Sequence, residues 1–374
     1  MSDDFLRPSW CEIDLSAVAH NIRQLKSIIA ADVRLYVCLK GNGSGCGAIA
    51  VAERAEASGA DGLAFGNIDS AVSCRVSGVK LPILLYPSCL PDTAPILEAH
   101  NLIPTISTVE EVACWSRSVQ SLLPVFLKID GGGFRAGAFP HHAATVAKAI
   151  ANDSRLRLAG VYGHPMTSYG IEDPTYTRSQ IDSFLHAISE IEAAGIDIPV
   201  RMISSSSIFL NHPDADLNGI DPGRLVMGMG FPALPERQRD WRPALTALKS
   251  RLVLKKSVDD IGEVMTAPFF ERRPGMSIGL IPLGWSDGYP SKLPRGATAL
   301  VHGRRVPLLG PVHSELMRID LTEMPDAQVG DEVVLLGRSG DDEITMADLC
   351  EQWKGSEIEI YSAIGRSLPK VYLS

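Results

Sequence analysis

Residues 34–60 read RLYVCLKGNGSGCGAIAVAERAEASGA, and this run decides the fold. RLYVCLK (34–40) is a short apolar strand that ends on a single lysine, Lys40. AIAVAERAEASGA (48–60) has apolar residues at helical spacing and a glycine near its end. A glycine-rich loop joins the two. Strand, loop and helix in that order make half of a βαβ unit. The alternation recurs on both sides. WCEIDL (10–15) reads as a strand, and SAVAHNIRQLKSII (16–29) as a helix with Ser16 as N-cap. GLAF (62–65), PILLY (82–86), LIPTI (102–106), VFLKID (125–130), LAGVYGH (158–164), VRMISSSS (200–207) and GRLVMGMG (223–230) read as further strands. Helical stretches such as 174–195 lie between most of them. Right-handed crossovers then give a parallel sheet. About eight such repeats over roughly 220 residues suit a closed (β/α)8 TIM-type barrel better than an open sheet.

The pattern changes near residue 240. From LTALKSRLVLKKSV (245–258) onward, short alternating strands are separated by turns: SIGLIPLG, ATALVHG, RRVPLLG and EVVLLG. Helical signal is scarce there apart from TMADLCEQW (345–353). The expected organisation is a barrel domain over 1–240 and a mostly antiparallel β domain over 241–374.

Composition narrows the function. The 374 residues are 45% hydrophobic and 21% charged, with a net charge of −9. No basic field is available for phosphates, so neither nucleic acid nor an anionic membrane surface is expected as a partner. No apolar run approaches a membrane span. The start, MSDDFLRPSW, has no signal-peptide character, so a cytoplasmic location is expected. Seven scattered cysteines without a CxxC pair fit reduced thiols rather than disulfides or a zinc site. No metal site is read.

In a parallel barrel the loops after the strands form the active face. Lys40, Lys128, Arg135, His164, the serines of 204–207, Asp221, Gly223 and Arg224 all fall at strand ends or just beyond. A lysine there can be partly desolvated, which suits a base or Schiff-base former. An arginine suits a carboxylate or phosphate. Taken singly, each has a bland reading: a lysine whose head reaches solvent, a surface arginine, a structural histidine. Their convergence on one end of one barrel is what a phosphate-bearing cofactor requires.

The chain resembles the alanine racemase family along nearly its whole length. RPSWCEIDLSAVAHNI (7–22) is similar to the family's opening RPTWAEIDLDALRHN, and LKGNGSGCG (39–47) to its VKADAYGHG. LKIDGGGFRAG (127–137) resembles LKVDTGMGRLG, and GVYGHP (160–165) the segment with the histidine under the cofactor ring. LGWSDGYP (283–290) resembles IGYADGYP, GPVHSELMRIDLT (310–322) resembles GRVCMDQCMVDLT, and LPKVY (368–372) resembles VPRVY. The resemblance implies a pyridoxal 5'-phosphate enzyme that interconverts L- and D-amino acids. It also implies a homodimer in which each active site is completed by the other subunit's β domain.

Carried over residue by residue, the resemblance makes Lys40 the Schiff-base lysine and one racemisation base. Arg135 steers the substrate carboxylate, and Lys128 matches a lysine that is often carbamylated and braces that arginine. His164 supports the ring, while Ser205 and Gly223 hold the phosphate. The loop glycines after Lys40 are expected to clear the cofactor.

The departures are as specific. The family's second base, a tyrosine, is Trp285 here, and an indole cannot accept a proton. His313 or Glu315 from the partner subunit, or Cys46, is left as substitute base. The phosphate tyrosine of AYGHG is Ser44, and another tyrosine is Arg366. Ser314 replaces a methionine and leaves room for a substrate bulkier than alanine, beside Trp285. The arginine expected at the pyridine nitrogen aligns with Asp221, with Arg224 three residues on. A carboxylate there holds the nitrogen protonated. That leaves a lyase (aldolase or decarboxylase) or a non-catalytic cofactor-binding protein as alternatives to a racemase.

Overall fold

The computed structural model describes residues 6–166, 174–230, 232–262 and 269–374. The first five residues, part of the start read for a signal peptide, lie outside these. Two compact units form. One takes Ala17–Gly43 and Ala48–Arg242; the other takes the start of the chain through Ser16, Ser44–Gly47 and Pro243–Ser374.

The first unit is a parallel barrel. Its strands are Arg34–Cys38, Gly62–Phe65, Ile83–Leu85, Leu102–Ile103 with Thr105–Ile106, Leu123–Lys128, Leu156–Tyr162, Arg201–Ser204 and Gly219–Ile220. The hydrogen-bonded order begins on Leu102–Ile103 and ends on Thr105–Ile106. These are the two halves of LIPTI, interrupted at Pro104, which has no N–H to give a ladder. Leu102 pairs with Ile83 on one side and Thr105 with Phe126 on the other, so the ring of eight closes. Tyr36, Ala64, Leu84, Phe126, Tyr162, Val200 and Met202 fill the interior. Large side chains meet small ones across it, as a barrel core requires. Each large apolar side chain buried this way stabilises the unit by about 1.5–3 kcal/mol.

The expected last strand, GRLVMGMG, is not a strand. The strand is the two-residue Gly219–Ile220, paired with Arg34–Leu35 on one side and with Met202 and Ser204 on the other. Residues 223–230 form turns in which the Arg224 carbonyl accepts from the Met227 and Met229 amides at 3.1 and 3.0 Å.

The second unit is built on one long sheet. Ser9–Asp14 lies within it, antiparallel to Leu245–Arg251 and parallel to Lys370–Leu373. The first strand of the chain therefore belongs with the C-terminal β strands, although its strand-then-helix pattern matches the barrel repeats. Helix Met346–Trp353 forms as read, and a second helix, Glu357–Ile364, follows it. EIEIYSAI alternates like a strand, but Glu359 reaches back to the Ser356 amide at 2.7 Å and starts a helix instead.

Candidate active site

Lys40 stands where the first barrel strand opens into the loop. The Leu39 amide still bonds the Ala64 carbonyl at 2.8 Å, so the lysine is presented by a fixed backbone. Then the chain turns the other way. Gly41, Asn42 and Gly43 have φ of 60°, 57° and 63° with ψ of 43°, 47° and 44°, a left-handed helical turn. Such a turn costs about 1–2 kcal/mol for each residue with a Cβ. Two of these three positions are glycine. The third, Asn42, spends its side chain on the next helix, accepting from the Ala48 amide at 2.8 Å.

The following glycines serve packing. A Cβ on Gly45 would lie 2.2 Å from the Tyr361 carbonyl oxygen, and one on Gly47 would lie 2.0 Å from the Tyr372 hydroxyl. Both contacts are inside the second unit. The glycine-rich motif is thus required where the loop meets helix Glu357–Ile364 and the closing LPKVY segment, a constraint unrelated to clearing a cofactor.

Lys40, Gly66, Tyr86, Pro87, Lys128, Arg135, Ala136, Tyr162 and His164 line one cavity of about 240 Å³ at the C-terminal ends of the barrel strands. Four of the residues singled out in the sequence therefore meet. Gly66 lets the Lys40 side chain through, since a Cβ there would sit 3.2 Å from Lys40 Cγ. Lys40 Nζ lies 5.0 Å from the centre of the Tyr86 ring. Lys128 is buried, its Nζ 5.5 Å from the centre of the Tyr162 ring. Burial first, then the charges of Arg135 and Lys40, lower its pKa to about 8. Burial and the same cationic surroundings push His164 down to about 3, so its imidazole is neutral. The cavity is positive and suits an anion such as a carboxylate.

Arg135 is held by its backbone. Asp130, buried, accepts from the Gly132 and Gly133 amides through Oδ1 at 3.0 and 2.8 Å and from the Arg135 amide through Oδ2 at 2.6 Å. The guanidinium itself is exposed at the cavity.

Behind the cavity lies Asp221, buried and fixed by its own amide to the Ser204 carbonyl at 3.1 Å. Tyr86 donates to Asp221 Oδ2 at 2.8 Å, while Oδ1 has no hydrogen-bond partner among the described residues. Burial raises Asp221 to about 6 against the pull of Tyr86 and the two lysines. Gly223 packs on Cys38, where a Cβ would lie 3.1 Å from its carbonyl oxygen. Arg224 follows in the same turn, half-buried. Of the serines, Ser204 is committed to the Ala215 carbonyl at 2.9 Å and Ser206 to the Leu225 amide at 3.3 Å. Ser205 heads the short helix Ser206–Asn211 without a side-chain capping bond, so its hydroxyl is not spent on that helix.

Trp285, His313, Ser314, Glu315 and Arg366 belong to the second unit. The Trp285 amide bonds the His313 carbonyl at 3.0 Å, and the Ser286 amide bonds the Ser314 carbonyl at 2.9 Å. Gly284 must be glycine there, since a Cβ would lie 2.2 Å from the His313 carbonyl oxygen. The turn is anchored by Asp287, which takes both Arg7 nitrogens at 2.7 and 2.6 Å. His313, Ser314 and Glu315 line a recess of about 590 Å³ with Arg7, Pro282 and Leu316. Trp285 is half exposed on the adjoining turn, and Arg366 is exposed after helix Glu357–Ile364. Cys46 cannot be the substitute base. It is fully buried, and burial pushes its thiol up to about 12.

Sequence reading missed Tyr86 and Tyr162. Their one signal was position: Tyr86 follows the Ile83–Leu85 strand, and Tyr162 closes its own strand at the same end of the barrel.

Residues 13–230 match the family model "Alanine racemase, N-terminal domain", and residues 245–372 match "Alanine racemase, C-terminal domain". The chain belongs to the alanine racemase family. An alanine racemase from Desulfovibrio desulfuricans is 31% identical over 99% of both chains. The solved alanine racemase from Bacillus anthracis with bound L-Ala-P is 26% identical, with a TM-score of 0.88 over 99% of this chain and 96% of that one. A histidine racemase from Leuconostoc mesenteroides subsp. sake, 23% identical, has a TM-score of 0.85 over 98% of both chains, which shows the shared fold alone. In this alanine racemase family member, the barrel with a C-terminal β unit stands as read. The family's reaction is an amino-acid isomerisation.

Proposed function

We propose that the chain is a pyridoxal-phosphate-dependent amino-acid racemase that works as a cytoplasmic homodimer. The observation that carries this reading is the single cavity in which Lys40, Lys128, Arg135 and neutral His164 meet. The residues fit the cofactor. Asp221 Oδ1 is a buried acceptor without a donor among the described residues, and the Ser205 hydroxyl is not spent on the helix it heads. Lys40 would tether it, His164 would support its ring, and Ser205, Gly223 and Arg224 would hold its phosphate. When bound, the cofactor supplies the electron sink that acidifies the α-hydrogen of an amino acid.

The chain's own residues do the rest. Lys40 takes or returns the α-proton on one face. Arg135 binds the substrate carboxylate, its backbone set by Asp130. Lys128, with a pKa of about 8, is in part the neutral amine that carbamylation needs. His164 stays uncharged and contributes shape and hydrogen bonding. Among the described residues no helix is long and apolar enough to cross a membrane.

The opposite face needs a group that accepts a proton, and Trp285 cannot. His313 Nε2 faces the Arg318 guanidinium at 3.1 Å. Arginine only donates, so that lone pair is engaged and the other ring nitrogen carries the hydrogen. Glu315 is an exposed carboxylate on the same recess, and its oxygens only accept, which makes it the candidate base. We assign it that role in the partner's site, with Trp285 and Ser314 shaping the room for the substrate side chain.

Mixing tests this arrangement. Lys40→Ala and Glu315→Gln homodimers should each be inactive, and co-refolded mixtures should regain L-to-D conversion. Only a site shared between subunits gives one heterodimer site with both groups intact. Mixtures as inactive as the parents would contradict it.

A further inference from the structure

Tyr86 is joined to the site in three ways. Its amide donates to the Phe65 carbonyl at 2.9 Å, which fixes the backbone at the end of its strand. Its ring packs on Tyr162 with centres 5.7 Å apart and lies under the Lys40 ammonium. Its hydroxyl ends on Asp221 Oδ2 at 2.8 Å. A rigid phenol thus spans the distance from the tethering lysine to a buried carboxylate.

A buried carboxylate is costly unless its lone pairs meet donors. Asp221 has one oxygen served by Tyr86 and the other by nothing among the described residues. Lys40 and Lys128 act on it as neighbouring charges and do not bond to Oδ1. The free oxygen therefore calls for one N–H or O–H donor. On the proposed reading, the cofactor is tethered at Lys40 and its phosphate lies toward Ser205 and Gly223. Its ring nitrogen is para to the carbon joined to Lys40, and Asp221 lies at the hydroxyl end of the Tyr86 ring that Lys40 covers, so the ring nitrogen is the donor that points away from the tether.

We propose that Tyr86 and Asp221 act as a unit: Asp221 Oδ1 accepts from a protonated ring nitrogen, and Tyr86, a positioning residue, keeps Asp221 ionised so that the proton stays on the ring. This rests on the pyridoxal-phosphate reading and goes beyond it, because it fixes the charge state of the ring and gives Tyr86 a role. Burial drives Asp221 toward its protonated form and the phenol opposes that, the balance lying at about 6. A hydrogen bond donated to the charged form favours that form. Remove the phenol, and the shared proton moves from nitrogen toward the carboxylate.

The experiment is ¹⁵N NMR of the holoenzyme reconstituted with cofactor labelled at the ring nitrogen, in wild type, Tyr86→Phe and Asp221→Asn. Wild type should give the shielded resonance of a protonated ring. Asp221→Asn should give the deshielded resonance of a neutral ring. Tyr86→Phe should lie between them, with wild-type circular dichroism. A neutral ring in wild type, or Tyr86→Phe identical to wild type, overturns the proposal. Borohydride fixation of the cofactor to Lys40, measured by mass on the same samples, separates the two failures. No adduct sinks the cofactor reading and this inference with it. An adduct with a neutral ring sinks this inference alone.

Discussion

The carboxylate of Asp130 holds the backbone amide of Arg135 at 2.6 Å, and its other oxygen takes two glycine amides of the same loop. The arginine assigned to the substrate carboxylate is thus placed through its main chain, by a carboxylate committed to three backbone amides. Asp130→Asn exchanges one acceptor for a donor facing an N–H. Hydrogen bonds to a charged group contribute about 1.5–3 kcal/mol each, so losing one should lower kcat/KM roughly ten- to a hundredfold. The loss should fall on KM, with cofactor content unchanged. Steady-state kinetics of the variant check this; an unchanged KM would show that the loop is held by something else.

Gly45→Ala should destabilise the fold by at least about 2 kcal/mol. The new methyl would meet the Tyr361 carbonyl at 2.2 Å, at a φ of +88°. Gly41→Ala is the control, because nothing lies within 4 Å of its Cβ and only its φ of +60° is strained. Its cost should be about 1–2 kcal/mol. Thermal melts of the pair should rank Gly45→Ala clearly lower.

While it is uncarbamylated, Lys128 makes stability depend on pH. Its folded pKa of about 8 lies below its ordinary value of 10.5. Between those values the unfolded chain holds a proton that the native state has shed, so stability rises with pH across that window. Below pH 8 the full penalty applies, about 3 kcal/mol. Lys128→Met removes it. The variant should be more stable than wild type at pH 7, with the advantage fading by about pH 10.5. Denaturant melts at several pH values read this directly; a variant less stable at pH 7 would mean the ammonium is compensated.

What the sequence made legible was local. Lys40, Lys128, Arg135 and His164 could be placed because strand-then-helix periodicity marks strand ends, and strand ends mark one face of a barrel. What it hid depends on distant partners. Tyr86 matters through Asp221, 135 residues away, and nothing in PILLY shows that. Gly45 and Gly47 look like a flexible loop until Tyr361 and Tyr372 are seen against them. WCEIDL carries the same pattern as the barrel strands and pairs with Leu245–Arg251 instead. The last barrel strand, Gly219–Ile220, is two residues long, below any periodic signal, while the apolar GRLVMGMG beside it imitates a strand.

The measurement that bears most directly on the reaction is α-deuterium exchange. The holoenzyme is incubated in deuterated water with each of a panel of L-amino acids, and deuterium at the α-carbon and chirality are scored together. With Glu315 or another second base in place of the tyrosine, at least one amino acid should gain deuterium and appear in both enantiomers, and Lys40→Ala should do neither. Exchange with retained chirality, or cleavage of a side chain or loss of the carboxylate in its place, would contradict racemisation. No exchange with any amino acid would contradict turnover altogether.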